Sequence, residues 1–163
     1  MEDVIRLIEP DMKKLEASID KLVTTRVGFI KEIVNHIIKS GGKRVRPILV
    51  ILSSRLCGHK NDKHIPYAAI VEFIHTATLL HDDVVDNAQT RRGASTANTI
   101  WGNEASVLVG DFLYAKSMEL LADEGNSEIF SAMAKTTKSL SEGEILELVK
   151  TSEIETSEED YIE

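Results

Sequence analysis

The stretch from Ile65 to Asp86 constrains the fold more than any other part of this sequence. Ile70, Phe73, Ile74, Ala77, Leu80 and Val84 recur there at the three-to-four-residue period of an α-helix. The spacing predicts one long helix over 65–86, opened by Pro66 in its first turn, where a missing N–H is tolerated. The same period runs through Ile8, Met12, Leu15, Ile19 and Leu22, then through Ile30, Ile33, Val34, Ile37 and Ile38, giving two amphipathic helices. Pro10 must lie in the first turn of the first of these or kink it.

Ser40-Gly41-Gly42 ends the second helix, and Pro47 suits the first turn of a third that runs to about Cys57 before Gly58. Lys43, Arg44 and Arg46 therefore fall at a helix start. Gln89 to Ala97 is polar, contains Gly93 and reads as a loop. Helices are predicted from Asn103 or Glu104 to about Ala122 and from about Ser127 to Val149. The acidic 153–163 region reads as a loop, with Ser157 capping a further helix. The only β-branched run, Ile48 to Leu52, sits in a helix-length segment and reads as buried helix, so the expected class is all-α.

Composition narrows the function. With 163 residues, of which 42% are hydrophobic, one soluble domain is expected. A net charge of -8 repels nucleic acid and anionic membrane at long range, so any phosphate site must be local. The single Cys57 excludes an intrachain disulfide and is expected to be a buried, inert thiol in a reducing compartment, by default the cytoplasm. Neither a signal peptide nor an apolar run near the ~20 residues of a membrane span is found, so no integral membrane segment is expected.

On the long helix, Asp82 and Asp86 project from one face about 6 Å apart along the axis, with Asp83 one step round. Acids at a helix C-terminus oppose its dipole unless a cation neutralises them. Standing alone, the cluster reads equally as a solvated, capping helix end. Hard carboxylate oxygens suit Mg²⁺, which keeps positions for phosphate and water, and Arg91 and Arg92 follow closely with guanidinium forks that match phosphate. Gly41-Gly42-Lys43-Arg44-Val45-Arg46-Pro47 joins flexible backbone, three cations and a helix N-terminus, a second anion site or else a basic loop on an acidic protein. It lacks the spacing and the hydroxyl of a P-loop. His75 lies two turns, roughly 10 Å, before Asp82 on the same face and is either a core histidine or a phosphate ligand. His36, His59, His64 and His81 read as surface or packing residues.

Together GGKRVRP, EFIHTATLLHDDVVDNAQTRRG and VLVGDFLYAKS resemble the trans-isoprenyl diphosphate synthases, above all the bacterial long-chain polyprenyl members. The resemblance implies an isoprenoid-synthase-type helical bundle, of which residues 1–163 form the N-terminal portion. It implies that Lys43, Arg46, His75 and Arg92 bind isopentenyl diphosphate, that Arg91 binds the allylic diphosphate, and that Asp82 and Asp86 ligate Mg²⁺, with Asp83 a supporting or occasional ligand. The implied reaction ionises the allylic C–O bond, adds the isopentenyl double bond to the cation and gives the final proton to the released diphosphate, so no protein base is assigned. In such enzymes the residue five before the first aspartate often sets product length. Here it is Ala77, beside Thr78, a small pair that implies an open tunnel and a long product, or else simply close helix packing.

The same resemblance implies a chain about twice as long, with a second aspartate-rich motif and a further lysine. Nothing after Glu147 supplies them; Asp160 is isolated, and Glu144 and Glu147 either face the site or serve as surface charges. The expectation is a polypeptide inactive by itself, whether a fragment, a truncated product or one part of a two-chain enzyme, with an exposed apolar wall. Helices 103–122 and 127–149 are expected to retain a homodimer interface, or the chain associates with a complementary one. Two alternatives are a non-catalytic diphosphate-binding partner subunit and a metal phosphohydrolase that uses His81-Asp82.

Overall fold

The computed structural model describes residues 2–151 and 157–162. Its elements are α1 (Glu2–Leu22), α2 (Gly28–Lys39), α3 (Val45–Leu56), α4 (His64–Val85), a hairpin of β1 (Thr90–Arg91) and β2 (Ala94–Ser95), α5 (Ala97–Trp101), α6 (Asn103–Glu124), α7 (Ser127–Lys150) and α8 (Glu158–Ile162). The chain divides into two units, Met1–Asp123 and Glu124–Glu163. The expected helices form close to their predicted ends; the part of the acidic loop at 153–156 lies outside the described residues. Among the described residues no helix is long and apolar enough to cross a membrane.

In the first unit α4 is the central helix, packed against α3, α1 and α5. Its buried positions include Ile65, Ala68, Ala69, Ile70, Phe73, Ile74 and Leu80, which spread over about two thirds of the cylinder. A helix without a broad polar face can only sit inside. Phe73 has no exposed surface, and burial of such a side chain contributes on the order of 2–3 kcal/mol. From α1, Ile8, Leu15 and Ile19 are buried as the spacing required. Pro10 lies inside α1 rather than in its first turn, so the carbonyl of Arg6 lacks its usual helical donor.

A partly buried ion pair ties α1 to α3. Asp11 is 2% exposed and accepts from Arg55 Nε at 2.9 Å and Nη2 at 2.7 Å, while the buried His64 places Nε2 3.6 Å away, beyond hydrogen-bond reach. On the other side of α4, the Ser106 hydroxyl of α6 donates to the Leu80 carbonyl at 2.8 Å. Gly110 lets α6 approach the same turn: a Cβ there would come within 2.3 Å of His81 Nε2. His81 donates to the Val107 carbonyl at 3.2 Å and lies 3.3 Å from Asp111.

Two expectations are corrected. Cys57 is exposed, because it is the C-cap of α3, beside the outward Leu56, where the chain leaves the core. The loop after α4 carries a two-residue antiparallel ladder, Thr90 with Ser95 and Arg91 with Ala94. Arg92 (φ 54) and Gly93 (φ 81) fill its turn, the paired positive φ values that match strand twist and for which glycine carries no Cβ penalty.

Several large apolar side chains are exposed. On α3, Val45, Leu49 and Leu56 stand 49%, 57% and 89% exposed along one side of the helix. In the second unit α7 is capped by Asn126, whose side-chain oxygen accepts from the amides of Glu128 and Ile129, and it exposes Leu140, Ile145, Leu148 and Val149.

Candidate active site

Asp86 ends α4, its amide still bonded to the Asp82 carbonyl at 2.8 Å, and Asn87 (φ 51) then reverses the chain. The three aspartates diverge. Asp82 is half-buried and Asp86 exposed, while Asp83 is 4% exposed and accepts from Arg91 Nε at 2.7 Å. The Asp82 carboxyl is pushed above its usual range, first by burial; Arg91 opposes this, Asp86 and Asp83 add to it, and His81 opposes it. A cation between Asp82 and Asp86 would relieve both the burial and the repulsion. Among the described residues no three His, Cys, Asp or Glu side chains converge on one point. Two carboxylates one helical turn apart fit Mg²⁺, which takes one or two protein carboxylates and fills its shell with phosphate and water. They do not fit a closed transition-metal site.

The hairpin explains why adjacent arginines go to different places. Arg91, the last residue of β1, turns back to Asp83 through Nε, whereas Arg92, in the left-handed turn, hydrogen-bonds the Gly41 carbonyl at the end of α2. Thr96 and Asn98 hold the loop. Thr96 Oγ1 donates to the Ala88 carbonyl at 2.7 Å, and Asn98 Nδ2 donates to the carbonyls of Asp83 at 3.0 Å and Ala88 at 3.2 Å.

Arg92 also closes a cleft of about 480 Å³ lined by residues 40–46 with Glu72, His75 and Arg92. Lys43, Arg46, His75 and Arg92, which the resemblance assigns to one substrate, all line this cleft. A Cβ on Gly42 would meet Arg92 Nη1 at 2.7 Å, so the bare backbone there admits the guanidinium. Burial first, then Arg46, push the His75 imidazole below its ordinary range; Glu72 opposes this, and Arg92 and Arg91 add to it.

Arg44 lines the same cleft but, unlike the other cations there, is paired with two acids. Its side chain is 13% exposed and pairs with Glu72 at 2.7 Å and Glu16 at 3.0 Å. Sequence reasoning passed over Glu72, Asn98 and the Asp83–Arg91 pair. One signal was available for the first: Glu72, His75, Leu79, Asp82 and Asp86 follow alternating three- and four-residue steps, one face of α4. Ala77 is 2% exposed, Thr78 Oγ1 donates to the His75 carbonyl at 2.9 Å, and neither lines the cleft.

A model of the family described as Polyprenyl synthetase matches residues 27–163. The octaprenyl diphosphate synthase of Escherichia coli (strain K12) is 39% identical over 162 residues, which cover 99% of this chain and 50% of that protein. Among solved structures, a decaprenyl diphosphate synthase from Rhodobacter capsulatus superposes with a TM-score of 0.94 at 42% identity, over 98% of this chain and 50% of that one. A polyprenyl synthase from Caulobacter crescentus CB15, complexed with calcium and isoprenyl diphosphate, gives a TM-score of 0.94 at 41% identity, over 98% and 49%. The chain therefore spans about half the length of the relatives it matches, and its fold is half of their helical bundle. On the family match and these relatives, the chain belongs to the polyprenyl synthetase family.

Proposed function

We propose that this chain carries the first half of the active site of a prenyltransferase that condenses an allylic diphosphate with isopentenyl diphosphate to a longer all-trans polyprenyl diphosphate. The observation that carries the reading is that one face of α4 runs from the aspartate pair to His75, in a cleft with Lys43, Arg46 and Arg92. In this reading Asp82 and Asp86 hold Mg²⁺, which supplies charge neutralisation at diphosphate oxygens when bound. Arg91 grips the allylic diphosphate, stabilising the negative charge that grows as its C–O bond ionises. Lys43, Arg46, His75 and Arg92 hold isopentenyl diphosphate so that its double bond faces the cation. Juxtaposition of this kind is worth up to ~10 kcal/mol of barrier.

The relatives' other half is needed for turnover in this reading, whichever polypeptide supplies it. We also take the enzyme to act in the cytoplasm, with α6 and α7 forming a homodimer interface; their exposed Val107, Leu108, Leu140 and Leu148 support the latter. His81, engaged by Val107 and Asp111, does not support the phosphohydrolase alternative.

The test is Mg²⁺-dependent binding of a non-hydrolysable allylic diphosphate to the chain, expected to be lost in Asp82→Ala. Binding that ignores both Mg²⁺ and the substitution would overturn the reading. Binding without turnover, even with the complementary half present, would favour the non-catalytic subunit. For product length, Ala77 is too enclosed to enlarge cleanly, so Thr78→Phe is the better probe in an active enzyme. It should shorten the product, and an unchanged product distribution would exclude this position.

A further inference from the structure

The cleft that gathers Lys43, Arg46 and Arg92 also contains Glu72, an acid on the wall of a proposed anion site. The Glu72 side chain is 7% exposed, too enclosed for water to screen it well. Arg44 covers it: Nη1 donates to Glu72 Oε1 at 2.7 Å, Nε to Glu16 Oε1 at 3.0 Å, and Nη2 to the Ile38 carbonyl at 3.3 Å. Each of the three guanidinium nitrogens thus has a partner, and the Arg44 charge is directed chiefly at two carboxylates. Its backbone sits in the left-handed region at φ 48, unusual for a residue with a Cβ, at the start of α3 and with no side-chain cap. The side-chain ties hold it there.

We propose that Arg44 is a positioning residue that masks Glu72, so that the cleft presents a positive face to a diphosphate. The inference rests on the reading of the cleft as a diphosphate site. Lys43, Arg46 and Arg92 then act on the ligand undiminished, whereas without Arg44 a buried carboxylate would repel the anion at close range through a poorly screened interior.

Titration calorimetry of the chain with inorganic diphosphate at fixed ionic strength tests this, with folding checked by circular dichroism. Arg44→Gln should weaken binding by about ten-fold. The double variant Arg44→Gln/Glu72→Gln should return to within about three-fold of wild type. Glu72→Gln alone should bind more tightly than wild type, because it uncovers the Arg44 charge. If Arg44 served only to shape the loop, Glu72→Gln would weaken binding and the double variant would be no better than Arg44→Gln; either result overturns the proposal. Should Arg44→Gln fail to fold, Glu72→Gln decides alone. A wild-type chain that does not bind diphosphate overturns the reading of the cleft and the masking with it. Normal binding by a folded Arg44→Gln overturns the masking only.

Discussion

Two triplets of like charge sit at opposite ends of one helical face, and they are divided in the same way. Among Asp82, Asp83 and Asp86 the middle residue in sequence is buried against an opposite charge, Arg91, while the outer two remain accessible. Lys43, Arg44 and Arg46 all line the cleft, and again it is the middle residue that is paired with acids, Glu72 and Glu16. A run of like charges is therefore not a single functional unit. Its centre is paired with an opposite charge, and its flanks are the residues proposed to meet the ligand.

That division breaks or holds on substitution. Asp83→Ala removes one partner of a buried pair whose other member, Arg91, is 34% exposed, so after allowance for solvent screening the expected loss is about 1–3 kcal/mol, read by urea unfolding. Asp86→Asn should do the reverse. Removal of an exposed negative charge at the C-terminus of α4 should raise stability by about 0.3–1 kcal/mol while Mg²⁺-dependent diphosphate binding falls. If both variants lose stability alike, the inner and outer aspartates do not differ in kind.

The smallest effect concerns His75. Its folded value is depressed by burial and by Arg46, so the stability linked to it is fully present above the ordinary value of about 6.5 and is lost as pH falls through the folded value. A bound diphosphate favours the imidazolium, so binding just below pH 6.5 should take up a fraction of a proton. Calorimetry in buffers of different ionisation heat measures that uptake, which should be smaller in His75→Gln by the share the imidazole carries, the ligand's own titration being common to both proteins. Uptake unchanged by the substitution would assign the proton elsewhere.

Helix order and ends were legible because the 3.6-residue period, Pro47, Pro66 and the glycines act locally. The inward turn of Arg44 was not, because it depends on Glu16 and Glu72, each 28 residues away in sequence. Burial of Asp83 was hidden for a similar reason: spacing places it one step round the helix but does not say what packs there. The hairpin escaped because two-residue strands are too short to show alternation. Cys57 was misjudged because its apolar neighbours suggested an interior position, although it caps a helix at the surface.

The two-residue turn at Arg92-Gly93 has a last consequence, for how this segment tolerates change in length. Its parity sorts two chemically identical side chains, sending one to α4 and the next to the end of α2. Loss or gain of a single residue between Asp86 and Gly93 would leave composition and charge almost untouched yet deliver one arginine to the other's address and the second to neither. The segment is thus tolerant of substitution at its solvent-facing positions but intolerant of insertion and deletion, and its length carries information that its composition does not.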